Sequence, residues 1–445
     1  MKLFKSLRKN PPLILGLSFA ILILVGALLL TLPIASADGH SVGFIDALFT
    51  ASSASCVTGL TVRNTQETWS AFGKTVILLC IQIGGLGTMS LVTILSLILR
   101  KRIGLRDRMV IKEQLNTDTL KGMVRMIKIV VLFTLAVEGL GALLLSIRLI
   151  PLYGFKTGLI YSIFHSISAF CNAGFDLFGD SLRPYAGDLI LNLVIMFLII
   201  FGGLGFQVYV DLWRRKTYKS LSAHSKMVIE ATIFLLLAGT LIFACFEWTN
   251  PLTLGHMPLG EKILASGFQS TISRTAGFYS VPMESMKDST SLFMILLMFI
   301  GGSPGSTAGG LKTTTCMVLI LTVLSSIRGK EDVVWHERTI ESQTVKMAFV
   351  MFFICLCVVF TVTTCLVILE PGKSVLRLFF ETVSAFGTVG VSQNVTGSIQ
   401  PLSKVIISLT MFLGRVGPTT LALGLGKNMH TKRKIHYAGS KIFIG

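Results

Sequence analysis

Four short apolar runs constrain this chain more than any other feature. They lie near Phe44–Ser55, Gly158–Phe170, Lys262–Ser273 and Ser374–Phe386, about a dozen residues each, and each ends in a loop that carries a glycine. The loops are imperfect copies of one another. Residues 53–60 read Ser-Ala-Ser-Cys-Val-Thr-Gly-Leu and 168–175 read Ser-Ala-Phe-Cys-Asn-Ala-Gly-Phe. Residues 271–278 read Thr-Ile-Ser-Arg-Thr-Ala-Gly-Phe and 384–391 read Ser-Ala-Phe-Gly-Thr-Val-Gly-Val. Aligned on Gly59, Gly174, Gly277 and Gly390, a hydroxyl residue stands six places before each glycine (Ser53, Ser168, Thr271, Ser384). Four copies spread over the whole chain point to four units around one axis.

Longer apolar segments flank each short run. They lie near Leu13–Leu32 and Thr75–Leu99, Met126–Ile150 and Leu189–Leu212, Met227–Phe246 and Leu292–Leu324, and Ala348–Leu369 and Val405–Leu425. Only 14% of the residues are charged and the mean hydropathy is +0.74. Soluble domains carry about 25% charge, so the solvent here is a bilayer. A helix rises about 1.5 Å per residue and needs roughly 20 residues to cross. The long segments qualify; the short runs do not, and must re-enter on the side they came from. The expectation is an all-α integral membrane protein, with eight transmembrane helices in four span–half-helix–loop–span repeats around one pore. The repeats fall at 1–112, 113–222, 223–340 and 341–426, with a tail at 427–445. The basic start and Ala35-Ser36-Ala37 imitate a signal peptide, but removing 13–33 would leave the first repeat incomplete, so a retained first helix is expected.

The formal charge of +18 is concentrated in clusters at Lys2–Lys9, Arg100–Lys128, Arg214–Lys226, Arg328–Lys346 and Lys427–Lys441. Every cluster lies outside a unit. All five share one side only if each unit contains two spans, which places both termini in the cytoplasm. This clustering argues against nucleic acid. The eight cysteines have no metal or redox spacing, and no catalytic constellation stands out, so no enzyme is expected. Gly305 to Thr313 imitates a phosphate-binding loop, but the glycine-to-lysine spacing is off by one and no strand precedes it. No nucleotide is therefore expected on this chain.

A second glycine motif follows each loop, at Gly84-Gly85-Leu86-Gly87, Gly202-Gly203-Leu204-Gly205, Gly301-Gly302-Ser303-Pro304-Gly305 and Gly414-Arg415-Val416-Gly417. Small residues there allow close helix approach or local unwinding. The third copy runs on through Ser306, Thr307, Ala308, Gly309 and Gly310, a stretch that does not hold a regular helix. Irregular backbone at membrane depth survives only inside protein or beside a wet cavity, so a loop in the pore is expected, a gate with Lys312 just beyond it. Arg415 in the last span is either a barrier on the ion path, a clamp on that loop's carbonyls, or half of a buried ion pair. Glu138, mid-span in the second unit, reads as a structural pair, with proton coupling the minority reading. Asp46 and Glu381 are expected to cap or brace half-helices.

The glycine loops carry the chemistry. A dehydrated cation needs several oxygens, and backbone carbonyls supply them where the chain tolerates unusual φ. The expected filter is Val57, Thr58 and Gly59; Asn172, Ala173 and Gly174; Thr275, Ala276 and Gly277; and Thr388, Val389 and Gly390. The preceding half-helices aim their negative ends at the same point.

As a set, these motifs resemble the Trk/Ktr/HKT superfamily of potassium transporters over roughly Leu13 to Leu425. The compact length and the Gly301–Gly310 sequence are most similar to the membrane subunit of bacterial Ktr systems. The resemblance implies potassium uptake in a bacterial cell membrane, and glycine at all four positions implies potassium rather than sodium as the favoured ion. It implies a homodimer with one pore per protomer, docked on a cytosolic nucleotide-binding ring of KtrA type, and uptake stimulated by sodium. The basic loops and the tail from Lys427 to Gly445 would then be docking surfaces. A sodium- or proton-coupled symporter is the alternative.

Overall fold

The computed structural model describes residues 11–87 and 123–417. Its regular structure is almost wholly helical. Among the described residues the only sheet is a two-stranded antiparallel hairpin, β1 (Val334–Trp335) and β2 (Arg338–Thr339). The helices follow one order four times: long, short, then a third that ends near a glycine. The first group is α1 (Pro11–Thr31), α2 (Phe44–Cys56) and α3 (Ala71–Leu86). The second is α4 (Met123–Tyr153), α5 (Phe155–Phe170), α6 (Leu189–Gly203) and α7 (Phe206–Arg215). The third is α8 (Ala223–Glu247), α9 (Leu259–Ile272), α10 (Asp288–Phe299) and α11 (Thr313–Ile327). The fourth is α12 (Ser342–Leu369), α13 (Val375–Gly387) and α14 (Pro401–Val416).

Four of these are long and apolar enough to cross a bilayer: Leu13–Thr31, Ile127–Tyr153, Ala223–Glu247 and Ser342–Leu369. They turn large apolar side chains outward, with Leu132 71%, Leu241 67% and Phe353 68% exposed. A water-facing surface would not carry contiguous patches of this kind. The expected continuous span Leu189–Leu212 is instead broken, and α6 and α7 meet at 89°. The break falls at Gly205, whose φ of 89° a side-chain-bearing residue rarely adopts. The far ends of the spans near Thr75–Leu99 and Val405–Leu425 lie outside the described residues. So do the basic clusters at Lys2–Lys9 and Lys427–Lys441, most of that at Arg100–Lys128, and the tail from Lys427 to Gly445.

The groups pack in a closed order. The third helix of each contacts the short helix of the next: α3 on α5, α6 on α9, α10 on α13, and α14 back on α2. The last contact is tied by charge. Asp46 in the first turn of α2 accepts from Arg63 Nε and from Lys404 Nζ of α14, both at 2.7 Å. Glu381 of α13 is fully buried and accepts from the hydroxyls of Ser392, at 2.7 Å, and Thr396. Both carboxylates brace as expected, each holding its short helix to a neighbouring segment.

Candidate ion pathway

The four short helices end in loops of one conformation. In each, the residue two before the glycine has positive φ: Val57 59°, Asn172 60°, Thr275 68° and Thr388 51°. Non-glycine residues are uncommon there, and a β-branched one is an outlier. The turn is held from behind. Thr58, Ala173 and Val389 each donate N–H to the carbonyl five residues back, at 2.8, 2.7 and 2.8 Å, the longer bond of a Schellman-type helix end. The glycines follow with φ of 98° (Gly59), 68° (Gly174), 74° (Gly277) and 88° (Gly390).

The hydroxyl six places back has a use in the first and fourth loops. Ser53 Oγ accepts from Gly59 N at 3.0 Å and Ser384 Oγ from Gly390 N at 3.1 Å. Ser168 Oγ instead donates to the Phe175 carbonyl at 2.7 Å, and Thr271 turns back to Gly267 O at 2.8 Å. The residue after each glycine (Leu60, Phe175, Phe278, Val391) is buried. Each such anchor contributes roughly 1.5–3 kcal/mol toward keeping its loop in place.

The four loops meet in cyclic order. A Cβ at Gly59 would stand 2.6 Å from the Ala173 carbonyl oxygen, and one at Gly174 would stand 2.7 Å from that of Ala276. A Cβ at Gly277 would lie 3.2 Å from the carbonyl oxygen of Val389, and one at Gly390 would overlap that of Thr58. Each glycine therefore abuts the preceding-residue carbonyl of the next unit, and the ring closes. Asn172 Nδ2 adds a side-chain link to Thr275 Oγ1 at 3.3 Å.

Below the ring lies the broken segment of the third unit, irregular between α10 and α11. Gly301 N donates to Leu311 O at 2.8 Å and Thr313 N to Gly302 O at 3.1 Å, which pins the two ends together. The loop rests on the α6–α7 bend: Ser303 N donates to Gly203 O at 3.1 Å, Thr307 N to Gly202 O at 3.2 Å, and Phe206 N to Gly305 O at 3.0 Å. A Cβ at Gly205 would lie 2.6 Å from Pro304 O, so the bend and the loop fit only through glycine. Ser306 Oγ donates to Ser303 O at 2.7 Å, and Lys312 Nζ to Ala308 O at 2.8 Å. On the opposite side, a Cβ at Gly309 would lie 2.8 Å from Thr388 Cγ2 and one at Gly310 3.1 Å from the Cα of Gly387.

Arg415 reaches this loop from α14. Its guanidinium donates to the carbonyls of Thr307, of Gly84 at 2.5 Å and of Gly85 at 3.2 Å, and lies 6.0 Å from the Phe19 ring. Among the described residues it has no carboxylate partner, so the buried ion pair is absent there, and its bonds go to carbonyls, one in the loop and two at the end of α3. Glu138 is buried on α4. It accepts from Gln82 Nε2 at 3.2 Å and from the Cys171 thiol at 3.7 Å. Gly84, Gly202 and Gly414 have a plainer role. A Cβ on any of them would overlap the carbonyl of Ser55, Phe170 or Phe386, the residue four before the loop glycine. The second glycine motif in these units therefore serves close helix approach.

A family model described as TrkH, a cation transport protein, matches residues 13–435. The chain belongs to this family. It is 42% identical over 444 residues to Ktr system potassium uptake protein B of Bacillus subtilis, covering 100% of this chain and 99% of that one. It is 40% identical over 442 residues to potassium/sodium uptake protein NtpJ of Enterococcus hirae, covering 98% of each. The crystal structure of the potassium transporter TrkH from Vibrio parahaemolyticus superposes with a TM-score of 0.74, at 19% identity, over 93% of this chain and 84% of that one. The helix arrangement is thus a TrkH fold.

Within this TrkH-family chain, two features went unread in the sequence. The positive φ two before each glycine falls on Val, Asn, Thr and Thr, whose side chains give no common signal. The buried Arg274 beside Thr275 stands where the other three copies have Cys56, Cys171 and Gly387, so the position has no common residue to mark it. Its guanidinium reaches Thr232 Oγ1 at 3.4 Å, and its Nε has no partner among the described residues.

Proposed function

We propose that this chain is the ion-translocating subunit of a potassium uptake system in a bacterial cell membrane. The observation that carries the reading is the cyclic contact of each loop glycine with the preceding-residue carbonyl of the next unit. Four short helices point their carboxyl ends at this ring, and their dipoles favour a cation there. Carbonyls held by strained turns replace the water of a dehydrated ion. The filter is Val57 to Gly59, Asn172 to Gly174, Thr275 to Gly277 and Thr388 to Gly390, and glycine in all four loops favours potassium. The segment Gly301–Gly310 with Lys312 is the gate beneath it, clamped shut by Arg415. The names of the B. subtilis and E. hirae relatives support potassium as the ion, and the second leaves sodium as a companion.

The wider arrangement follows from the same reading. Eight crossings in four repeats place both termini in the cytoplasm. The chain works as a homodimer on a KtrA-type nucleotide-binding ring that biases the gate, and binds no nucleotide itself. The test is rescue: expression with a cognate ring subunit in cells lacking potassium uptake should restore growth at low potassium. No rescue by well-expressed protein and partner would overturn the reading. The second reading, coupled symport, has one observation in its favour, the burial of Glu138 beside Cys171, one residue from the filter.

A further inference from the structure

At the end of α8 opposite to the one that leads into α9, the chain forms a half-open cavity of about 430 Å³. Its walls are the first turns of α8, α11 and α12, and the β1–β2 hairpin lies across it. The floor is apolar: Met227, Val318 and Ala348 form one buried cluster, with Met347 and Met351 beside it. The rim is polar and one-sided. His224, Thr314, Thr315, Trp335 and Arg338 line it, and among the described residues no Asp or Glu does, the Asp211 carboxylate acting on His224 from outside the lining. The carboxylates of the same connecting segment, Glu331, Asp332, Glu337 and Glu341, are all outside the lining.

Two buried nitrogens on this rim are unsatisfied. Trp335 Nε1 and His224 Nε2 have no hydrogen-bond partner among the described residues. Leaving such groups unpaired is costly, and native proteins rarely do it without an occupant. Arg338 is exposed and makes no ion pair among the described residues. The hairpin is held in place from outside, where His336 Nε2 meets Glu230 Oε1 of α8 at 2.7 Å. The site therefore offers an N–H donor, a second ring nitrogen and a cation over an apolar well.

We propose that this cavity binds an anionic phospholipid, its phosphate on Arg338 and Trp335 Nε1 and the start of one acyl chain on Met227, Val318 and Met347. Basic pockets between membrane helices recognise anionic head groups in this way, and the volume is within the roughly 300–1,000 Å³ of small-molecule sites. The position gives the lipid leverage. Thr314 and Thr315 open α11, and the adjacent Thr313 is bonded to Gly302 of the broken segment at 3.1 Å. An occupant therefore bears on the helix that leaves the loop.

The test uses the purified full chain in neutral detergent, by native mass spectrometry and thermal melting. Phosphatidylglycerol should be retained and should raise the melting temperature, and phosphatidylcholine should do neither. Arg338→Gln combined with Trp335→Phe should weaken phosphatidylglycerol binding about tenfold, as loss of a charge-assisted hydrogen bond implies, with the lipid-free melting temperature unchanged. Met347→Trp, which fills the well, should also weaken it. Equal binding of the two lipids, or unchanged binding by the variants, would overturn the proposal. Protection by inorganic phosphate alone, to the same extent, would show a free-anion site and overturn the lipid assignment. Binding is read without transport, so its failure is distinct from failure of the potassium reading.

Discussion

A side-chain carbon on Gly277 would stand 2.7 Å from the Cα of Gly174. The ring can close at this seam only while the third loop has glycine, and its φ of 74° sets the same demand independently. Gly277→Ser should therefore lower the preference for potassium over sodium about tenfold, the equivalent of about 1.4 kcal/mol, with protein still in the membrane. Competition uptake with the two ions measures it. Unchanged selectivity would remove Gly277 from the filter.

The loop hydroxyls predict an asymmetry. Ser384 Oγ accepts from Gly390 N, whereas Thr271 Oγ1 bonds within its own helix. Ser384→Ala leaves a buried N–H unpaired, at about 1–3 kcal/mol, and should blunt selectivity. Thr271→Val should leave it nearly unchanged. Equal effects of the two, by the same competition assay, would show that the Gly390 bond does not matter.

Removing Ser306, Thr307 and Ala308 deletes the one loop carbonyl that Arg415 holds, leaving its bonds to Gly84 and Gly85. Flux without the ring subunit should rise. Arg415→Gln should raise it less, because the bonds of the loop to Gly202 and Gly203 persist. Flux assays in vesicles that show no rise would make the segment a passive kink.

Glu138→Gln tests coupling. The amide keeps the size of the side chain and can still meet Gln82, so the protein should fold. Uptake should retain its pH dependence if Glu138 is structural. A flattened pH profile would favour proton symport.

Glu370, just beyond α12, predicts an acid-sensitive anchor. It accepts from Gln400 N at 2.7 Å and Ser403 Oγ at 2.8 Å and lies 3.5 Å from Lys373 Nζ. Burial alone would raise its pKa; those partners outweigh it and hold the carboxyl below its ordinary value. A depressed folded pKa stabilises above the unfolded value of about 4.3 and loses that contribution as pH falls through the folded one. Glu370→Gln should melt lower than the parent at pH 7, and the gap should close below about pH 4. A gap that persists in acid would mean that packing, not charge, is lost.

The helix order was legible because it rests on length and hydropathy, which the bilayer enforces directly. The loop glycines were legible because they recur at one register. The bend at Gly205 was not, since Gly84-Gly85-Leu86-Gly87 and Gly202-Gly203-Leu204-Gly205 share a pattern while only the second abuts Pro304. Nor was the left-handed turn at Val57, which β-branching opposes and a tertiary frame imposes. Arg415 could be placed in a span, with the loop carbonyls as one of three readings, but its bonds to Gly84 and Gly85 could not be foreseen, because backbone carbonyls leave no mark in sequence.

The pairing of Asp46 with Lys404 joins residues 358 positions apart. Synthesis runs from the first unit to the last, so the ring stays open until α14 emerges and docks on α2. A nascent chain lacking α14 has a carboxylate-bearing seam with no lysine to meet it. Premature termination anywhere before Lys404 should yield not a weak pore but no pore, and a substrate for membrane proteolysis.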